Sequence, residues 1–205
     1  MGAMENVGCI TYNDQYISRG EKFTKVKTEN IYNTLLHEIS HMWFGNLVTM
    51  KWWDDLWLNE SFANMISFMC MDEAEGLEDI TLAWSNFLDE SFWGLRDDQK
   101  DTSHSIAANC NSTADAEDIF DGISYGKGAS WLRQMIYFYG RETFALGLKN
   151  YFAKHSFKNT ILSDFVNELA HAAKELKIVE SEKVMVQWTD QWLKAAGCGE
   201  ISLNF

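Results

Sequence analysis

His37-Glu38-Ile39-Ser40-His41 is the stretch of this chain whose residue types and spacing most directly imply chemistry. On a helix, positions i and i+4 project from one face about a turn apart. His37 and His41 can therefore offer both imidazoles to a single tetrahedral zinc ion at ~2.0–2.1 Å. Glu38, one step around the helix, can stand beside the open coordination position instead of filling it, which is where a zinc hydrolase keeps its general base. A match of this kind arises by chance only on the order of once in a few hundred chains of this length. A catalytic zinc typically takes three protein ligands and a water, so a third ligand is required. Glu60 is the best candidate, nineteen residues after His41 in Trp57-Leu58-Asn59-Glu60-Ser61-Phe62-Ala63. Alone it would read as an acidic residue decorating a helix N-terminus. Beside the paired histidines it reads as a ligand, and the expected cofactor is one Zn2+ per chain.

These residues need elements to hold them. Ile31, Leu35, Leu36, Ile39, Met42 and Trp43 form one apolar stripe, which predicts a helix from Ile31 to a C-cap at Gly45-Asn46. The apolar run 47–57 has no helical period and predicts an extended connector that lets the next helix turn back on the first. That second helix is expected from Asn59 toward Glu75, with Gly76 as its stop, and a third from Asp79 to Leu95. The polar segment 97–122 reads as a long loop, and further helices fit 125–139, 142–154, 163–176 and 181–196. Strand character shows in the first twelve residues and again in the tail from Gly197. The fold class expected is α+β, mostly α, with short strands at either end that look cut from something larger.

Composition sets the outer limits. At 205 residues, with 46% apolar and 23% charged side chains, the chain is globular, not disordered. No apolar run approaches the ~18 residues of a membrane span, and no secretory leader is visible. Seventeen basic against thirty acidic residues give a net charge of −13, which argues against a nucleic-acid surface. Nine Trp within a 14% aromatic content imply a bulky core or surfaces that meet something else. Proline is absent, and no physical account of that suggests itself. Cys9, Cys70, Cys110 and Cys198 form no CxxC pair, so free buried thiols in a reducing compartment are expected. Asn59-Glu60-Ser61 matches a glycosylation pattern beside the third ligand, an awkward place for a glycan. Both features tilt the expectation toward a cytoplasmic location.

His-Glu-x-x-His followed by Glu within Trp-Leu-Asn-Glu resembles the M1 family of zinc aminopeptidases, of the gluzincin type. Gly2-Ala3-Met4-Glu5-Asn6 is similar to the family's exopeptidase motif, and Ser124-Tyr125-Gly126-Lys127-Gly128-Ala129 to its catalytic-tyrosine segment. The resemblance runs through most of residues 2–140 and implies a thermolysin-like catalytic domain over residues 1–197, with 198–205 starting a following β segment. It implies His37, His41 and Glu60 as zinc ligands, Glu38 as general base and Tyr125 as oxyanion donor, although by residue type alone Tyr125 reads as a core aromatic. Gly2, Ala3, Met4, Glu5 and Asn6 would bind substrate: the Glu5 carboxylate would pair with a free α-ammonium, and the preceding backbone would add a peptide strand. Peptides with a free N-terminus are the implied partners, with further N- and C-terminal domains packing on this one. Ser61 stands where the family usually has Gly, a small change expected to be tolerated. His104-Ser105-Ile106 lacks the proline of the family's corresponding segment, which leaves His104 a structural reading. A non-catalytic peptide-binding scaffold and a bifunctional epoxide hydrolase–aminopeptidase are the competing readings.

Overall fold

The computed structural model describes residues 2–17, 20, 23–74, 76, 82–199 and 202–203. Helix α1, Lys25–Ser40, starts on Thr24, whose hydroxyl accepts the Lys27 N–H at 3.2 Å. This start lies six residues before the expected one. The first turns expose Lys25, Lys27 and Asn30, and their buried residue is polar, Glu29, which accepts the Leu82 N–H at 2.7 Å, so no apolar stripe marks them. The helix ends at Ser40, short of the expected Gly45-Asn46, although His41 keeps right-handed helical dihedrals (φ −61°, ψ −19°) and so remains in register with His37. A series of turns then reverses the chain around Gly45 at φ +117°.

Helix α2, Leu56–Glu73, is the centre of the fold and is buried on nearly every side, as its largely apolar sequence requires. It starts at Leu56 after a 3-10 turn at Trp53–Asp55. Glu60 therefore sits a full turn inside the helix and not at its tip. Helix α3, Ala83–Asp97, is followed by the short α4, Thr113–Asp118, and a π turn at Ile123–Lys127. Helices α5, Gly128–Tyr139, α6, Arg141–His155, α7, Leu162–Glu175, and α8, Glu182–Leu193, complete the body. Trp57 and Trp131 meet edge-on at 5.8 Å between α2 and α5, and Phe44, Phe62, Tyr151 and Phe165 form a continuous aromatic core. Much of the aromatic content is thus core.

Strand content is small. Strands β1, Ala3–Met4, and β2, Thr11–Tyr12, form an antiparallel hairpin. Strand β3, Val48–Met50, lies inside the expected connector and pairs in parallel with β4, Lys158–Thr160. The β part is therefore not confined to the N-terminal region or the chain ends, and β3 and β4 leave no signal in the sequence because a three-residue strand is too short to show a periodicity. The expected loop 97–122 is firmly attached and contains α4. Ala107 N–H donates to the Leu193 carbonyl at 2.8 Å, and Cys110 N–H to Asp54 Oδ1 at 2.7 Å. The proposed starts of the third helix and of the tail strand fall partly outside the described residues, and residues 198, 199, 202 and 203 are not in a strand. Of the four cysteines only Cys110 is buried, which corrects the expectation of buried thiols: Cys9 lies in the hairpin turn and Cys70 on the outer side of α2. Among the described residues no helix is long and apolar enough to cross a membrane.

Candidate functional site

Helices α1 and α2 pack together and bring three side-chain atoms into a triangle. His37 Nε2 lies 3.2 Å from Glu60 Oε2, His41 Nε2 lies 3.4 Å from the same oxygen, and the two nitrogens are 3.0 Å apart. Four ligands placed tetrahedrally at ~2.0–2.1 Å from zinc stand ~3.3–3.4 Å from each other, so the triangle has the size of one face of such a site. His41 Nδ1 lies 3.0 Å from the Phe44 carbonyl, an oxygen that can only accept. A neutral His41 therefore carries its proton on Nδ1 and points the Nε2 lone pair into the triangle, the outer-shell arrangement that prepares imidazole for a metal. The donor set of two imidazoles and a carboxylate suits zinc.

The pKa directions follow from this crowding. Burial alone would raise Glu60, but the hydrogen bonds and charges of His37 and His41 outweigh it and hold the carboxyl at about 2. Burial works to lower His41, and the Glu60 hydrogen bond and charge reverse that, so its pKa is raised.

Glu38 points to the same place. Its Oε2 is buried without a hydrogen-bond partner, an orphaned acceptor aimed into the site. Burial pushes the Glu38 carboxyl above its ordinary value, against the lowering effect of His37 and His41. Oxygens of Glu5 and Glu38 and a nitrogen of His41 all lie within 4.8 Å of one another, so the β1 end reaches the centre. Two contacts hold it there: Asn46 Nδ2 donates to the Glu5 carbonyl at 2.8 Å, and the Tyr16 hydroxyl is 3.1 Å from Thr34 Oγ1 on α1. Gly2 fits beneath because a Cβ there would stand 2.5 Å from the Tyr16 hydroxyl. Ala3 and Met4 pair with Tyr12 and Thr11, and the Asn6 amide donates to Thr11 Oγ1 at 3.2 Å.

Tyr125 arrives from the π turn, a local widening of helical winding often found at functional sites. Its ring lies 6.1 Å from that of His37 with 15° between planes, and 5.8 Å from Trp93. Burial, then the charge of Glu60 and a hydrogen bond to it, push its pKa far up, so the phenol stays protonated and can donate. The turn is tied at both ends. Asp121 Oδ1 accepts the N–H groups of Ile123 and Ser124 at 2.9 and 3.2 Å, and Lys127 Nζ meets the buried Asp98 at 2.7 Å. Asp121 in turn faces His104 Nε2 at 3.1 Å, in keeping with a structural histidine.

The structure thus brings Glu5, His37, Glu38, His41, Glu60 and Tyr125 together, with Gly2, Ala3, Met4 and Asn6 on the adjoining hairpin. Sequence reasoning missed Asn46 as a tie for Glu5, Tyr12, whose buried unpaired hydroxyl feels the charge of Glu38, and Asp121 as the cap of the π turn. Ser61 is more than tolerated, since its hydroxyl donates to the Ser124 carbonyl at 2.5 Å. Only Asn46, a lone amide in an apolar stretch, carried a signal.

Comparison with known proteins gives a match to the peptidase family M1 domain over residues 1–194. The chain is 42% identical to an aminopeptidase N of Streptomyces lividans over 198 residues, 96% of this chain and 22% of that protein. It is 38% identical to the aminopeptidase M1 of Arabidopsis thaliana (93% of this chain, 21% of that one). It is also 38% identical to a glutamyl aminopeptidase of Bos taurus (93% and 19%). The chain therefore spans about a fifth of the length of these relatives.

Proposed function

The chain belongs to peptidase family M1, and from that premise we propose that it is the catalytic part of a zinc aminopeptidase with a thermolysin-like core, removing the N-terminal residue of peptides. The observation that carries this reading is the triangle of His37, His41 and Glu60 with the unpaired Glu38 oxygen and the Glu5 carboxylate beside it. The three ligands would hold zinc, which when bound supplies a Lewis acid for the scissile carbonyl and a water acidified toward a pKa of about 7.

The rest is work for side chains. Glu38, with its raised proton affinity, takes a proton from the attacking water and hands it to the departing amine. Tyr125, locked in its protonated form, donates to the developing oxyanion. Glu5 pairs with the substrate α-ammonium, so a peptide continuing past that point would bury an uncompensated carboxylate and be rejected. Ala3 and Met4 present backbone groups on the strand that would align the peptide. Further domains packing on this chain are part of the proposal, given the share of its relatives that it spans. Tyr137 and Phe138, 85% and 65% exposed, are aromatic side chains such a neighbour could cover.

The test uses zinc analysis together with an aminoacyl chromogenic substrate and its N-acetylated form. Expected are about one zinc per chain, lost in His37→Ala, and chelator-sensitive cleavage of the free-amine substrate alone. Equal cleavage of both substrates would remove the role given to Glu5. Zinc retained without any turnover would favour the scaffold reading.

A further inference from the structure

Ser61 follows Glu60 on α2 and is wholly buried, as is Ser124 on the π turn. The Ser61 hydroxyl donates to the carbonyl of Ser124, the residue immediately before Tyr125. Gly128 makes room for this contact, because a Cβ there would stand 2.0 Å from Ser61 Oγ and 3.0 Å from the Trp57 ring. Asp121 and Asp98 secure the two ends of the turn, while Ser61 grips its middle, on the peptide that joins Ser124 to Tyr125. Adjacent residues of one helix thus hold a candidate metal ligand and the anchor of the phenol.

We infer that Ser61 is a positioning residue for Tyr125, fixing where the phenol hydroxyl stands relative to Glu60 and the metal site. The inference rests on the oxyanion role proposed for Tyr125. A hydroxyl that merely satisfied a buried carbonyl would show itself in stability. One that sets the phenol must show itself in the step the phenol serves. Removing the hydroxyl leaves the Ser124 carbonyl without this donor and lets the turn drift, and a displaced donor is of little use to an oxyanion whose position is fixed by the remaining ligands.

The experiment combines Ser61→Ala, Ser61→Cys and Tyr125→Phe in the zinc-loaded chain. Ser61→Ala is expected to lower kcat by about tenfold or more with KM changed less than about twofold and zinc content unaltered, and the weaker donor in Ser61→Cys should give an intermediate loss. In the Tyr125→Phe background, Ser61→Ala should add less than about twofold, since its effect passes through the missing hydroxyl. Hydrogen exchange should speed up in the peptide covering 120–130 and not elsewhere. An equal loss in both backgrounds, or exchange unchanged in that peptide, would overturn the inference while leaving the role of Tyr125 intact. Full activity of Tyr125→Phe alone would remove that role and this one with it.

Discussion

At the scale of single residues, the proposed mechanism separates groups that would hold the metal from groups that would react. Glu38 touches neither histidine through a hydrogen bond, and its free oxygen is the one placed to accept a proton. Glu38→Gln should lower kcat by about 10²–10⁴-fold with zinc retained, measured by steady-state turnover beside metal analysis. The ligand set also makes a pH prediction for the metal-free chain. Glu60 is held at about 2 against an ordinary 4.5, so its contribution to stability is complete above about 4.5 and is lost as pH falls toward 2. His41 is raised above 6.5, so its contribution is complete below about 6.5 and is lost as pH climbs through its folded value. The pair therefore supports the fold most between those limits. In chelator, the urea-midpoint advantage of the parent over Glu60→Gln should be largest near about pH 5.5 and smaller at about pH 3 and about pH 8.5. The spacing of His37, Glu38, His41 and Glu60 was legible because helix geometry turns sequence distance into spatial distance. The roles of Asn46 and Tyr12 were not legible, because Glu5 and Glu38 are brought to them by tertiary packing, and that of Asp121 was not because the π turn it caps through the nearby Ile123 and Ser124 N–H groups was itself hidden.

At the scale of elements, α3 lies directly on the π turn, backbone against backbone. A Cβ on Gly126 would stand 2.1 Å from the Glu90 carbonyl, and one on Gly94 would stand 2.5 Å from the Lys127 nitrogen. Neither neighbour is a side chain that could swing away. Gly126→Ala should cost about 1–3 kcal/mol in chemical denaturation, as overpacking of a filled interior does. It should also lower kcat, since the displaced turn carries Tyr125. The helices themselves were mostly readable from their apolar periods, α5 to α8 to within a few residues. The start of α1 was hidden because its first turns are mostly exposed and their one buried contact is polar, Glu29 to the Leu82 N–H, which leaves no apolar stripe. The π turn was hidden because its sequence continues smoothly into α5, and only packing against α3 explains the wider winding.

At the scale of the molecule, the three proposed ligands come from α1, its C-cap and α2, so a bound ion would be a cross-link of the central layer. Zinc at a hundredfold excess over its Kd should stabilise the chain by about 2.7 kcal/mol. At ~2–4 °C per kcal/mol for a domain of this size, that is a rise in Tm of about 5–10 °C by calorimetry. His37→Ala should show little of it. The pairing of β3 with β4 joins positions far apart in the chain, Val48 to Lys158, and the Asp55 carboxylate likewise waits for the Leu162 N–H, which it accepts at 2.9 Å. On a ribosome adding ~5–20 residues per second, the interval between making those two strands is about 5–20 s. For most of it His37, His41 and Glu60 already exist while β3, in the segment between their helices, still lacks the strand it pairs with. A nascent chain can therefore capture its ion first and receive its scaffold afterwards.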